Sequence, residues 1–144
     1  SNYYHHNIPD FSTYVNRIRD KGLDEKYANQ LEVYSDFYNR NKSFCHGDAS
    51  IDNILCNDKT IYYIDPIYLP DVYSSWTLDI AKVLTSLKRY DKVGDYNIIK
   101  EKYKGIATEL DALEMSHWIR MYSYHPSKEY VMSQIERVYE SIKN

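Results

Sequence analysis

Apolar residues recur every three or four positions along most of the chain, which is the spacing of amphipathic helices. Phe11, Tyr14 and Ile18 show this spacing in the first helix, which Gly22 would end. The longest predicted helix is the second, of about five turns. By this pattern we predict helices near 11–20, 24–41, 76–89, 95–107, 109–123 and 127–142.

The pattern changes between the second and third of these helices. Short apolar or β-branched segments at 43–45, 54–56 and 60–64 predict small strands that form one or two hairpins. The predicted fold class is therefore α+β and mainly α-helical, with a small β-hairpin insert. A chain of 144 residues with 43% hydrophobic residues suits one domain. Its predicted parts are helices at 11–41, polar loops at 43–70 and a helical bundle at 76–142.

Charge and composition exclude several classes of protein. The 18 Lys and Arg residues are scattered among 21 Asp and Glu, for a formal net charge of -3, so no basic nucleic-acid surface is expected. No apolar run approaches the roughly 18 to 20 residues that cross a bilayer, so we expect no membrane partner and a cytoplasmic chain. Cys45 and Cys56 match no metal or disulfide spacing, and we expect free, packed thiols.

The candidate chemistry lies in residues 44–55, where polar groups occupy loops between the short predicted strands. Phosphoryl transfer needs a carboxylate that aligns the acceptor hydroxyl and magnesium that neutralises the phosphates. Asp48 can supply the carboxylate, and Asn53 follows it closely enough for one loop to present both groups. Asp65, at the end of the next predicted strand, adds a second oxygen ligand of the kind magnesium prefers.

These residues also match a known pattern. His46-Gly47-Asp48 together with Asn53 has the spacing of the HxDxxxxN catalytic loop of protein kinases. The HGD form resembles the aminoglycoside phosphotransferase and choline kinase superfamily, and the resemblance covers roughly residues 10–125. It implies the C-terminal catalytic lobe of a protein-kinase-like fold, with Asp48 as the catalytic residue.

Two further segments strengthen the resemblance. Asp65 resembles the metal-binding aspartate of the family, although Pro66 and Ile67 follow it, so the glycine of the DFG motif is missing. Residues 76–84, WTLDIAKVL, are similar to the D(I/L)AK helix of the family. The aspartate of that helix, here Asp79, braces the catalytic loop by hydrogen bonds to its backbone.

The resemblance implies a small-molecule kinase that uses ATP and Mg²⁺. Its substrate would be a small hydroxylated molecule, a sugar or an amino alcohol, for example in surface polysaccharide synthesis. By the same resemblance Asn53 and Asp65 bind the metal and the nucleotide, while His46 and Asp79 support the loop.

Kinase-like enzymes also need a second lobe, with a phosphate-covering loop and a lysine that grips the phosphates. The chain has only four isolated glycines, and its first predicted helix begins near residue 11, so we expect the N-lobe to be absent. We expect the chain to fold but to be inactive alone. A missing N-lobe or upstream domain would be its partner, and self-association through the uncovered face is a further expectation.

Two other classes of function remain open. The chain could be a non-catalytic binding module derived from a kinase, or a metal-dependent hydrolase that uses His46, Asp48 and Asp65 around one ion. His46 is a general base by residue type, but its place in the family favours a role in orienting the loop. The remaining histidines lack companions at ligand spacing and are predicted to be surface or packing residues: His5, His6, His117 and His125.

Two more residues have competing interpretations. Asp52 adjoins Asn53 and could reach the metal, although a solvated loop carboxylate is favoured. Arg120 resembles a position that faces the acceptor pocket in sugar and amino-alcohol kinases. Pairing along the helix surface with Glu114 or Glu109 explains Arg120 equally well, so it is not included in the predicted site.

Overall fold

The computed structural model describes residues 7–67 and 69–143 and is mainly helical, with one two-stranded antiparallel sheet. In chain order the elements are α1 (Ser12–Arg19), α2 (Glu25–Glu32), α3 (Ser35–Arg40), β1 (Ile54–Cys56), β2 (Ile61–Tyr63), α4 (Trp76–Arg89), α5 (Val93–Lys102), α6 (Ala107–Tyr122) and α7 (Lys128–Ile142). Short 3₁₀ turns precede β1 and α6, at Ile51–Asn53 and Lys104–Ile106. The predicted mainly helical α+β class is confirmed.

The prediction of one continuous helix over 24–41 was wrong. α2 ends at Glu32 and α3 begins at Ser35, with Tyr34 at φ -104° and ψ 16°, outside the helical range. The break lets α3 turn Tyr38 into the core, where its hydroxyl donates to the Glu109 carbonyl at 2.7 Å. Periodicity continued through the break because both helices bury aromatic residues, so tertiary packing decided where the helix stops.

The segment 43–45 was predicted as a strand and is irregular. The amide of Ser43 donates to the Ser74 carbonyl at 3.2 Å, and the Ser74 hydroxyl donates back to the Ser43 carbonyl at 2.7 Å. These bonds join two loop segments without a ladder, so the described chain has a single hairpin, β1–β2. The region predicted as a helix over 95–107 is likewise α5 followed by the 3₁₀ turn Lys104–Ile106.

The core combines apolar packing with tyrosine hydroxyls that find partners. α6 lies at its centre and contacts α1, α2, α4 and α7. The hydroxyl of buried Tyr14 lies 2.7 Å from that of Ser116, and the buried Tyr73 hydroxyl donates to the Tyr38 carbonyl at 2.8 Å. A buried hydroxyl without a hydrogen-bond partner would lower the stability of the fold. These hydrogen bonds therefore allow a tyrosine-rich chain to bury its rings in the core.

A buried carboxylate joins the last three helices. Glu114 is fully buried in α6 and accepts from the Tyr96 hydroxyl at 2.6 Å and the Trp118 indole at 2.9 Å. Its third donor is Arg137 of α7, at 2.7 Å. The positive charge of Arg137 and two neutral donors together compensate for the desolvation of this carboxylate. The Glu114 carboxylate therefore links α6 to α5 through Tyr96 and to α7 through Arg137.

α4 positions the polar loop that follows α3. Asp79 near its start bonds the backbone of residues 46 and 47, and the buried Ser86 hydroxyl near its end accepts from the Ile51 amide at 2.9 Å. The loop therefore runs along α4 and is held at two points about two turns apart.

Candidate active site

Asp79 fixes the backbone of the loop that carries Asp48. Its Oδ2 accepts from the His46 amide at 2.7 Å, and its Oδ1 accepts from the Gly47 amide at 3.0 Å. Burial raises the pKa of Asp79, and these two hydrogen bonds oppose that rise by favouring the ionised form. Both carboxylate oxygens thus serve the loop backbone, which is the contact that the family resemblance implies.

The His46 ring is also committed to backbone atoms. Its Nδ1 must accept, because the Asp48 amide donates to it at 3.2 Å. Its Nε2 must carry a hydrogen, because it lies 2.5 Å from the Ile64 carbonyl oxygen. Together the two contacts assign the neutral tautomer with the proton on Nε2. The ring connects the loop to the end of β2 and has no free nitrogen for proton transfer or metal binding.

Gly47 lies where the loop makes its closest approach to the segment after β2. The Ile67 amide donates to the His46 carbonyl at 2.8 Å, and Gly47 has a φ of +88°. A Cβ atom at Gly47 would lie 2.7 Å from the Ile67 carbonyl oxygen, closer than real Cβ contacts. Both the left-handed backbone and the close approach require glycine at this position.

We expect Gly47→Ala to displace the loop and lower stability by about 1 to 3 kcal/mol, because the new Cβ meets a backbone atom that has little room to move. Thermal or urea unfolding measures this change. Gly94→Ala is the matched control: Gly94 is in α5, and a Cβ there meets nothing within 4 Å. That variant should be as stable as wild type or slightly more so. Equal stability of the Gly47 and Gly94 variants would contradict the close approach.

Asp48 and Asn53 form a compact pair at the end of the loop. The Asn53 side-chain nitrogen donates to the Asp48 carbonyl at 2.8 Å and to the Asp48 Oδ2 at 3.0 Å. The 3₁₀ turn at Ile51–Asn53 brings the two side chains together. Since the amide nitrogen is used in this way, the amide oxygen of Asn53 is the atom left for a metal ion.

Lys82 is a member of the site that the sequence analysis did not assign. Its Nζ lies 3.5 Å from the Asp48 Oδ1, and its side chain is 13% exposed against 36% for Asp48. Burial lowers the pKa of Lys82, and the neighbouring Asp48 charge opposes that shift. The signal was present in the sequence: Lys82 follows Asp79 by three residues on α4, so both point from one helix face toward one loop.

The hairpin brings Asp65 beside Asn53. Ile54 pairs with Tyr63, and the Ile64 amide extends the ladder by donating to the Asn53 carbonyl at 2.9 Å. Asp65 follows directly, exposed and with a left-handed φ of 53°. Both predicted metal ligands therefore lie at the open end of one hairpin, next to the Asp48 loop.

The oxygen donors at this point fit magnesium, which commonly takes one or two protein ligands and completes its shell with water and phosphate oxygens. Within residues 7–67 and 69–143, no group of three or more His, Cys, Asp or Glu side chains is placed to hold a metal ion. An ion held by Asn53 and Asp65 would complete its shell with water and phosphate oxygens.

Other candidates from the sequence lie apart from this site or have other partners. Asp52 is exposed and accepts from the Tyr90 hydroxyl at 2.7 Å. His117 is buried with its Nε2 3.0 Å from the Leu78 carbonyl oxygen, whereas the Nδ1 of His125 accepts from the Ser127 amide at 2.9 Å. His5 and His6 lie outside the described residues.

The two cysteines differ in their surroundings. Both are free thiols, as predicted. Cys45 is half-buried beside the loop, and burial, together with the Asp79 charge, raises its pKa. Cys56 is exposed on β1, so the prediction that it is packed was wrong. The adjacent Leu55 and all three residues of β2 are exposed as well, so neither face of this short hairpin is covered at Cys56.

The loop also borders a large apolar cleft. The cleft has a volume of about 450 Å³, and its walls include Phe44, His46, Tyr63, Trp76 and Val83. Large apolar side chains on the hairpin beside it are exposed, among them Leu55 and Ile61. The site is therefore flanked by a surface that suits a flat apolar ligand or another protein surface.

Comparisons of the chain with protein-family models, with curated proteins and with solved structures found no match. Over the described residues, no helix combines the length and the apolar character needed to cross a membrane.

Proposed function

We propose that this chain is the catalytic lobe of a small-molecule phosphotransferase, which moves the terminal phosphate of ATP to a hydroxyl of a sugar or amino alcohol. The observation that carries the proposal is the pair of hydrogen bonds that Asp79 accepts from the His46 and Gly47 amides. These bonds fix the backbone immediately before Asp48. A carboxylate held in this way can align a hydroxyl, and positioning is the largest part of what phosphoryl transfer asks of a protein.

Asp48 is the residue that would accept the hydroxyl proton. One carboxylate oxygen is oriented by Asn53 at 3.0 Å and the other faces the Lys82 ammonium at 3.5 Å. As the acceptor oxygen bonds to phosphorus, its proton passes to Asp48, and the bond from phosphorus to the bridging oxygen of the nucleotide breaks. The positive charge of Lys82 lies beside this carboxylate and would also stabilise the negative charge of the phosphoryl group during transfer.

Asn53 and Asp65 would hold Mg²⁺, which, when bound, neutralises charge on the phosphates of ATP. Two local features support this role. The Asn53 amide nitrogen donates to Asp48, so the amide oxygen is the atom left for an ion, and Asp65 is exposed just after the adjoining end of β2. The apolar cleft beside His46 and Asp79 supports a further part of the proposal, that a nucleotide-binding lobe or partner covers this face.

The second candidate function is a non-catalytic binding module. The same apolar cleft of about 450 Å³ favours it, because such a surface binds a partner without any chemistry at Asp48. Self-association through this face would be one form of it. The metal-dependent hydrolase is disfavoured by His46, both of whose ring nitrogens are bonded to the backbone and so cannot bind an ion.

The deciding experiment offers ATP and magnesium to the full-length natural protein, together with a library of sugars and amino alcohols, and analyses the products by mass spectrometry. A product heavier by one phosphate, formed only in the presence of ATP, supports the phosphotransferase. Binding of library members with no phosphorylated product from any of them supports the binding module.

Replacing Asp65 should raise the magnesium concentration needed for half-maximal turnover about tenfold or more, because it removes a direct ligand. Asp65→Asn is the cleaner variant and Asp65→Ala the harsher one, since asparagine tolerates the left-handed backbone of this position. Asp58→Ala, at an exposed site in the hairpin turn, is the matched control. A magnesium titration curve that coincides for wild type and Asp65→Asn would make Asp65 a structural residue only.

A further inference from the structure

Two arginines that have no hydrogen bond or ion pair within the described residues line a small cleft beside Gly47. Arg17 of α1 and Arg120 of α6 border this cleft together with Tyr14 and Gly47, the residue directly before Asp48. Both side chains are half-buried, and neither makes a hydrogen bond or ion pair with residues 7–67 or 69–143. The predicted alternative for Arg120, pairing with Glu114 or Glu109, is wrong for Glu114, whose oxygens bond Tyr96, Trp118 and Arg137.

The local charge is positive although the chain as a whole is acidic. Burial lowers the pKa of Arg17, and the Arg120 charge lowers it further. The Arg120 charge also lowers the pKa of Lys82 and of buried His117, so Arg120 interacts electrostatically with groups on both α4 and α6. With 21 acidic residues against 18 basic ones, carboxylates are abundant, yet none pairs with either arginine in the described structure. Partly desolvated like charges are unfavourable unless an anion joins them.

The positive charge continues past the catalytic carboxylate. Lys82 lies 3.5 Å from the Asp48 carboxylate, and Lys82 and Arg89 line a second small cleft together with Asp52. Gly47 is a wall of the first cleft, and its Cα lies about 3.8 Å from that of Asp48 across one peptide bond. A group bound between Arg17 and Arg120 would thus lie against Gly47, the residue directly before the one proposed to align the acceptor hydroxyl.

We infer that the acceptor of this enzyme carries an anionic group, a phosphate or a carboxylate, which binds to Arg17 and Arg120 while its hydroxyl meets Asp48. The inference rests on the proposed phosphotransferase function and narrows its substrate class. Guanidinium groups bind such anions through paired hydrogen bonds. The cleft volume of about 40 Å³ admits one small group and no sugar ring, so the rest of the acceptor extends over Gly47 toward Asp48. A sugar acid or a phosphorylated polyol fits this arrangement, whereas a cationic amino alcohol does not.

Calorimetry on the full-length protein, without magnesium or nucleotide, tests the anion site separately from catalysis. The probes are glycerol 3-phosphate, glycerol and ethanolamine, which share a hydroxyl and differ in charge. We expect glycerol 3-phosphate to bind at least about tenfold more tightly than the other two probes. Arg17→Gln and Arg120→Gln should each weaken its binding about tenfold, and Arg120→Lys should fall between wild type and Arg120→Gln.

The matched control is Arg40→Gln, because Arg40 is exposed on α3 and has no partner in the described structure. It should bind glycerol 3-phosphate like wild type. Equal affinity for the three probes, or unchanged binding in both arginine variants, would overturn the inference. So would a loss of magnesium-ATP affinity in these variants as large as the loss for glycerol 3-phosphate, because the arginines would then hold the nucleotide.

Failure of the proposed function gives a different result. Asp48→Asn should lose turnover but keep the preference for glycerol 3-phosphate over glycerol and ethanolamine, because that preference comes from the two arginines. If glycerol 3-phosphate binds through the two arginines but no acceptor is ever phosphorylated, the anion site stands and the phosphotransferase proposal falls. If neutral acceptors are phosphorylated while glycerol 3-phosphate does not bind, only the inference about the acceptor falls.

Discussion

If the proposed function is correct, Asp48→Asn is expected to reduce phosphoryl transfer by roughly 10² or more, while the affinity for ATP changes by no more than a few fold. Asparagine can still accept the hydrogen bond from Asn53, which lies 3.0 Å from the Asp48 Oδ2, so the loop should keep its shape. It cannot take the hydroxyl proton. Because that proton moves only as the transition state forms, the loss should appear in kcat.

Steady-state kinetics with a separate measurement of ATP binding checks this prediction. Asp52→Asn serves as the control, because Asp52 is an exposed carboxylate of the same loop that accepts from the Tyr90 hydroxyl. The control should retain wild-type turnover. Equal turnover in Asp48→Asn and wild type would remove Asp48 from the mechanism. An equal loss of turnover in Asp48→Asn and Asp52→Asn would mean that activity depends on the negative charge of the loop and not on Asp48 as a specific base.

Asp79→Ala should lose stability and activity together. The substitution leaves the His46 and Gly47 amides without the acceptors that now lie at 2.7 and 3.0 Å, at a cost on the order of 1 to 3 kcal/mol. Asp79→Asn should recover little, since its amide nitrogen would face one of the two backbone donors. Thermal unfolding and turnover of the same preparations measure the two effects.

Asp71→Ala is the control for the two Asp79 variants, because Asp71 is exposed and has no hydrogen bond in the described structure. It should melt like wild type. A wild-type melting temperature for Asp79→Ala would show that the loop backbone does not depend on Asp79. Lost stability with full activity would show that the brace serves folding and not the chemistry.

The sequence predicted α4 at its observed bounds, 76–89, and the spacing of Asp48, Asn53 and Asp79 placed these residues on one loop and one helix. The sequence could predict these features because each depends on residues close together in the chain. They are the helical period of α4, the five-residue spacing from Asp48 to Asn53, and the polar residue that follows a short strand. The catalytic and metal-binding roles of Asp48, Asn53 and Asp65 stay predictions. The sequence pattern could predict that these side chains lie near one another, but not what they bind or catalyse.

What the sequence did not reveal depends on contacts between distant segments. Arg17 and Arg120 are more than a hundred positions apart and meet only because α1 packs on α6. The break between α2 and α3 similarly follows from the bond of Tyr38 to the Glu109 carbonyl. Lys82 is different, since its place three residues after Asp79 was visible. Residue spacing alone did not show whether its ammonium faced solvent or Asp48.

The β1–β2 hairpin has a consequence for local unfolding. Isolated two-stranded hairpins are marginally stable in water, and here Leu55, Ile61 and Tyr63 are more than half exposed. Its open end carries both Asn53 and Asp65, joined by the bond from the Ile64 amide to the Asn53 carbonyl. Fraying of this short ladder would separate the two oxygen donors while the helices stay folded. If Asn53 and Asp65 bind the proposed ion, order in the hairpin and occupancy of that site would be thermodynamically linked, and each would favour the other.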